Sequence, residues 1–304
     1  MNLKPFTTPI LFLIFNRPET TERVFQQIRK IQPRQLFISA DGPRKEKINE
    51  EEKCRETRNI IEKIDWTCEL KTNYSEKNLG CRVGVSSGIH WFFRNVLEGI
   101  ILEDDCLPDL SFFHFCETLL EYYRNDKQVM HIGGVNFQDG NTRGDGSYYF
   151  SSLNHVWGWA SWRRAWNLYD VDMKSYPECL QQGLLYQLFP DPSLRNYWKK
   201  NFDLVFEKRK DTWDFQWQYA SALNHGLSII PNKNLITNIG FDANATHTVN
   251  HAHSLANMPT EPIQDIIHPA AMTIDQKADK YTFGHYLSPP KWRKVGSLIR
   301  SIFY

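Results

Sequence analysis

The chain has 304 residues, a formal net charge of +1, a sequence pI near 7.7 and 41% hydrophobic residues. That balance carries no bulk nucleic-acid signature, supplies a sizeable core, and fits one large domain or two small ones. No apolar run approaches the length of a membrane span. The apolar run at 10–15 is short and closed by Asn16-Arg17-Pro18, which reads as a first strand and not a secretory signal. The six cysteines show no CxxC spacing, so neither zinc nor a disulfide framework is indicated. The expectation is a reduced, cytoplasmic protein, in which the sequons at Asn73 and Asn244 carry no meaning.

Residues 9–15 read as a buried strand. Pro18 and Thr20/Thr21 open a helix over 19–31 with Val24, Ile28 and Ile31 on its apolar face. A second strand, Gln35–Ala40, ends at Asp41-Gly42-Pro43. A charged helix follows over about 45–64, with Ile48, Ile60, Ile61 and Ile64 as sparse apolar positions, and then a third strand over 67–72. Asn78-Leu79-Gly80 is a loop, 82–97 a helix and 99–102 a fourth strand. This alternation marks a parallel sheet covered by helices. Asp41 and Arg82 both fall just past strand ends, on the face where open α/β sheets bind ligands. Asp41 is a ligand contact or plain turn chemistry. Arg82 is a solvated first-turn residue or, since a cation is unfavourable at a helix N-terminus, the partner of a bound diphosphate.

The fourth strand ends in three consecutive carboxylates, Glu103, Asp104 and Asp105. Burial accounts for Ile100, Ile101 and Leu102, but adjacent like charges are costly in a core if unpaired. At a strand's carboxyl end they suit a crevice that holds Mg2+ or Mn2+. Such ions take oxygen ligands, often one or two carboxylates with water and substrate phosphates. Strand alternation puts Glu103 and Asp105 on one side and Asp104 on the other. The next helix begins around 108–111 and already has Asp109 and Ser111 to cap it.

After residue 125 the rhythm changes. Residues 129–135 read as a strand whose Gly133-Gly134 suggests close approach of another group, and 139–147 form a polar, Gly-rich loop. Seven of the ten tryptophans lie between 157 and 217. Some must be core, Trp162 and Trp166 above all, yet indole faces also stack on sugars and bases. Gly158, between Trp157 and Trp159, suggests backbone pressed against a ligand. Thr212-Trp213-Asp214 opens a helix to Asn224, and Asp214 is either a first-turn acid favoured by the dipole or a general base beside an aromatic wall. Asp211 is the next acid to consider for that role. A late strand, Leu227–Pro231, precedes His247, a candidate metal or phosphate contact in a polar loop.

Taken together, Ile101-Leu102-Glu103-Asp104-Asp105, Trp157-Gly158-Trp159, Trp213-Asp214 and the closing Pro231, Asn238-Ile239-Gly240 and Thr246-His247 resemble a GT-A nucleotide-sugar glycosyltransferase. The likeness is to the N-acetylglucosaminyltransferases of N-glycan and protein O-mannose synthesis and their bacterial relatives. It covers about residues 8–250. It implies an α/β fold of GT-A type, with a Rossmann-like mixed central sheet flanked by helices and a C-terminal arm. The implied organisation is a nucleotide-binding half (1–125), an acceptor half (126–250) and an arm (251–304). It further implies that Asp105 binds Mn2+ or Mg2+, with His247 as a second ligand seen among GT-A enzymes at large. Glu103 and Asp104 would meet sugar and ribose, Asp41 uracil, and Arg82 the donor's sugar or phosphate. Trp159 would line the sugar pocket, and Asp214 would deprotonate the acceptor. The chain departs from the family pattern where Phe215, not a second acid, follows Asp214.

The activity so implied is inverting, metal-dependent transfer from a UDP-sugar such as UDP-GlcNAc to a glycan or lipid-linked hydroxyl. A nucleotidyltransferase or sugar-nucleotide hydrolase is the alternative. The former usually shows a Gly-rich loop after the first strand, and residues 16–19 have no glycine. A non-catalytic carbohydrate-binding protein would use the aromatics but not three strand-end acids. The end of the chain, 291–304, puts Trp292, Val295, Leu298, Ile299, Ile302 and Phe303 on one helical side among basic residues. That pattern suits either an anionic membrane surface or docking on protein.

Overall fold

The computed structural model describes residues 6–241 and 255–287. His247 and the basic tail at 291–304 lie outside the described residues. In chain order the first half holds β1 (Ile10–Ile14), α1 (Pro18–Ile31), β2 (Gln35–Ala40), α2 (Glu50–Asn59), β3 (Glu69–Tyr74), α3 (Gly80–Asn95), β4 (Glu98–Glu103), β5 (Cys106–Pro108) and α4 (Leu110–Tyr122). The second holds β6 (Val129–Gly133), β7 (Tyr148–Ser151), β8 (Trp159–Trp162), α5 (Arg163–Trp166), α6 (Tyr176–Gln181), α7 (Leu184–Leu188), α8 (Pro192–Phe206), α9 (Asp214–Leu223), β9 (Leu227–Pro231), β10 (Ile236–Asn238) and, in the arm, α10 (Gln276–Thr282).

Every residue of β1 is buried, as expected of a strand covered on both faces. It pairs in parallel with β2 and β4, and β2 with β3. β8 then runs antiparallel to both β4 and β6, β9 is parallel to β6, and β7 closes the edge antiparallel. The sheet order is β3-β2-β1-β4-β8-β6-β9-β7. This is the Rossmann-like mixed sheet flanked by helices that the resemblance implies, with the parallel part that the alternation of elements implies in β1 to β4. One continuous core runs from Ile10 in β1 to Ile229 in β9, across residue 125.

Two local findings shape the site. β4 ends at Glu103, the chain turns at Asp104-Asp105, and β5 leaves to pair antiparallel with β10, Cys106 opposite Asn238. The expected alternation of the three acids therefore fails, because strand geometry stops one residue after Leu102. Asp109 caps α4 as expected, accepting from Ser111 N at 2.8 Å.

The 139–147 loop is tied at its start and its middle: Tyr281 Oη donates to Asp139 at 2.7 Å, and Arg143 N donates to Asn232 Oδ1 at 2.8 Å. The described part of the arm lies along the second half, where Gln138 Nε2 donates to Thr282 Oγ1 at 2.8 Å and Ser152 N to Asp279 at 3.0 Å. None of the six cysteines is in a disulfide. No helix of the described residues is long and apolar enough to cross a membrane.

Candidate active site

A cavity of about 310 Å³ opens where β1, β2 and β4 end. Phe15 and Arg17 follow β1, Asp41 and Arg44 follow β2, and Glu103, Asp104 and Asp105 end β4. The opposite wall comes from the second half: Trp157, then Thr212, Trp213 and Asp214 at the start of α9, with Gly240 and Phe241 after β10.

All three acids line this one cavity. Arg17, the residue before α1, forks between Asp104 and Asp105, with Nη1 3.1 Å from Asp105 Oδ2 and Nη2 on Asp104 Oδ1. Burial disfavours the charge of Arg17, but the two aspartates outweigh it and raise its pKa. Phe15 N donates to Asp104 at 3.2 Å. Gly240 is required by close approach, since a Cβ there would run into Asp105 and into Arg17 Nη1 at 2.6 Å. The Glu103 carboxylate receives no hydrogen bond among the described residues. Burial first, and then repulsion from Asp105 and Asp104, push its carboxyl well above the usual range. Burial likewise raises Asp104, against the pull of Arg17. Sequence reasoning missed Arg17. The available signal was that three acids on β4 need a counter-charge, and that β1, its parallel neighbour with Leu13 opposite Glu103, runs straight into an arginine.

Among the described residues no group of three or more His, Cys, Asp or Glu side chains is arranged to hold a metal ion. The donor chemistry nevertheless fits a hard divalent cation. Three carboxylates face one guanidinium, and Glu103 is left without a compensating donor beside Asp105. An ion with one or two carboxylates, water and substrate phosphates needs no more from the protein. His247 is outside the described residues.

Asp41 lines the cavity, but its oxygens are already engaged. They accept from Gly42 N at 2.8 Å, Leu79 N at 2.8 Å, Gly80 N at 3.1 Å and Asn78 Nδ2 at 3.0 Å. Burial still raises its pKa despite those bonds.

Asp214 is 2% exposed at the first position of α9. Its Oδ1 accepts from Thr212 Oγ1, and its Oδ2 has no partner among the described residues. Burial pushes its carboxyl up to about 7, against the Thr212 hydrogen bond and the nearby Lys210 ammonium. Lys210 was not anticipated either. Its ammonium stands 4.0 Å over the Phe215 ring, and burial lowers it to about 8. Asp211 does not resemble a free base, because both its oxygens accept backbone N–H groups, from Cys81 at 3.0 Å and Arg82 at 3.1 Å.

Two expected residues stand elsewhere. The Arg82 guanidinium turns from the cavity to Val171 O at 2.8 Å and Asp172 Oδ1 at 2.7 Å. Trp159 is fully buried, stacked on His131 at 5.1 Å and on Trp213 at 5.6 Å. It is Trp157 that lines the cavity, with an indole N–H lacking any partner among the described residues. Gly158 is pressed not against a ligand but against Ile236 and Leu102.

No protein-family model matches the chain, and no curated protein matches its sequence. Among solved structures it is similar to 4-diphosphocytidyl-2C-methyl-D-erythritol synthase from Anaerococcus prevotii DSM 20548, at 8% identity and a TM-score of 0.33, over 53% of this chain and 74% of that one. It is also similar to a cytidylyltransferase from Leptospira borgpetersenii serovar Hardjo-bovis, at 13% identity and a TM-score of 0.32, over 53% of this chain and 63% of that one. A UDP-glucose pyrophosphorylase complexed with UDP-glucose overlaps 48% of this chain and 67% of its own at 13% identity and a TM-score of 0.30. Likeness at this level speaks to neither substrate nor activity.

Proposed function

We propose that the protein is a glycosyltransferase that moves a sugar from a nucleoside diphosphate sugar to a hydroxyl of a glycan or lipid-linked acceptor, with inversion at the anomeric carbon. One observation carries this reading. A single cavity has an undercompensated acid cluster on one wall and, on the other, a lone buried carboxylate, Asp214, with a free oxygen and a pKa raised to about 7. UDP as carrier, UDP-GlcNAc as the first donor to try, and Mn2+ or Mg2+ as cofactor come from the sequence resemblance.

In this reading Asp105 would hold the metal, and Glu103, which the resemblance places at the sugar, would stand beside it as a second ligand. When bound, such an ion neutralises the diphosphate and favours its departure. Arg17 and Phe15 N fix the position of Asp104 and stiffen the end of β4. Asp214 takes the acceptor's proton at Oδ2, while Thr212 holds Oδ1. A base whose pKa lies near the operating pH is the effective kind. Trp157, Trp213 and Phe241 keep that wall apolar. One base facing a leaving group describes a single displacement, hence inversion.

The test is UDP release from a panel of UDP-sugars with Mn2+, with and without acceptor sugars, and the product's anomeric configuration by NMR. Acceptor-dependent release with inversion is expected. Equal release without acceptor indicates a hydrolase. Pyrophosphate release from a nucleoside triphosphate and a sugar 1-phosphate indicates a nucleotidyltransferase. Sugar binding without turnover indicates a binding protein. Each of these three results sinks the proposal.

A further inference from the structure

The first turn of α3 has no cap of its own. Leu79, at the cap position, makes no side-chain hydrogen bond, and the turn contains no acid. A helix start leaves up to four backbone N–H groups without an intrahelical partner. Here they are shared between two carboxylates from opposite walls of the cavity. Asp41 takes Leu79 N and Gly80 N, and Asp211 takes Cys81 N at 3.0 Å and Arg82 N at 3.1 Å. Gly80, at φ +77, admits Asp211, since a Cβ there would stand 2.7 Å from its Oδ2.

Three residues after Asp211 comes Asp214, and the intervening chain is pinned by α9 and by the segment that follows α5. Gln216 Nε2 donates to Thr212 O at 2.7 Å, and Tyr169 Oη to Trp213 O at 3.2 Å. Tyr169 is tethered in turn to the same turn of α3, because the Arg82 guanidinium holds Val171 O and Asp172 two and three residues further on.

We propose that Asp211 is a positioning residue for the reaction: by docking the 211–214 segment onto the first turn of α3, it sets where Asp214 stands relative to the acid cluster. The proposal rests on the reading of Asp214 as the base. Asp211 is exposed and touches no reacting atom in this account, so its removal changes alignment without emptying the site. Misplacement of a catalytic group by about 1 Å can cost on the order of 10²-fold in rate.

The experiment uses the full chain with Asp211→Asn, and Gly80→Ala to disturb the same contact from the α3 side. Amide hydrogen exchange is expected to rise several-fold in the peptide over 212–216 and at the start of α3 in both variants, and to stay unchanged in β9. With the best UDP-sugar donor, kcat of Asp211→Asn should fall about 10-fold or more while its affinity for UDP stays within about twofold of wild type. Unchanged exchange over 212–216 overturns the docking. Unchanged kcat, or kcat and UDP affinity falling together, overturns the positioning role, the latter by making Asp211 part of the donor site. If the wild-type protein transfers no sugar, the functional reading fails by itself, and the exchange measurement alone decides whether Asp211 holds the segment.

Discussion

On the wall built by β1, β2 and β4, carboxylates sit among donors. Asp41 collects four N–H groups, and Asp104 has Phe15 N and Arg17. On the wall built by the second half, Asp214 Oδ2 and the Trp157 indole N–H face no partner among the described residues. The first wall is a charge-ordered frame in which Asp41, Asp104 and Asp105 have partners and the Glu103 carboxylate has no donor among the described residues. The second keeps polar atoms in apolar surroundings, where an unmade hydrogen bond costs about 1–3 kcal/mol. A protein tolerates that cost where a ligand supplies the missing partner. In the proposed reaction the first wall would supply charge and the second the base.

The sharpest way to break this contrast is Asp214→Asn. It keeps the shape and removes the basic oxygen. Turnover should fall by about 10²–10⁴ while UDP affinity is unchanged, as for loss of a general base. Steady-state kinetics beside calorimetric UDP titration checks both. Turnover near wild type would return Asp214 to a mere helix-start role.

The mirror experiment is Asp105→Ala on the charged wall. Metal-dependent UDP affinity should fall by more than the roughly 10–100-fold that loss of a mere outer-shell partner costs, with the fold intact by circular dichroism. UDP affinity in Mn2+ that matches wild type would remove Asp105 from the metal assignment.

The first half of the chain shows where sequence reading succeeds. The run Ile10–Ile14 and the cap at Asp109 follow from local apolar patterning and turn chemistry, so β1 to β4 were legible. The turn at Asp104-Asp105 was not, because where a strand stops depends on β5 finding β10 more than a hundred residues later. Arg17 was invisible for the same reason: its partners are 87 and 88 positions away. β7 and β8 are four residues each, and α6 to α8 fall in a stretch with no strong periodicity of its own. Trp157 and Trp159 share parity and on one strand would share a face. Gly158, at φ +59, breaks the chain between them, sending one ring to the cavity and the other to the core.

That break gives a smaller, separable effect. Trp159→Phe should lower stability by about 2 kcal/mol, below the roughly 3–5 of full truncation, and leave KM for the donor nearly unchanged. Trp157→Phe should alter KM and, since Trp157 is also buried, lower stability by a smaller amount than Trp159→Phe. Chemical denaturation and kinetics on the two variants decide it. Parallel behaviour of the pair would mean that the two indoles do not have separate roles.

The smallest effect is a slope. Burial raises the Asp214 carboxyl from 3.8 to about 7, so between those values the folded protein holds a proton that the unfolded chain has released. Stability then falls as pH rises through that window, since the slope follows the difference in bound protons. Glu103 and Asp104 are also raised, chiefly by burial, and act in the same sense. Asp214→Asn removes only its own share. Between pH 5 and 6 the wild-type protein should lose up to about 1.4 kcal/mol more than the variant, the most one carboxyl contributes per pH step. The measurement is urea denaturation with EDTA present, so that no cation alters the acid cluster. Parallel pH dependences for the two proteins would mean that Asp214 ionises freely, and the case for it as a base tuned by burial would fall.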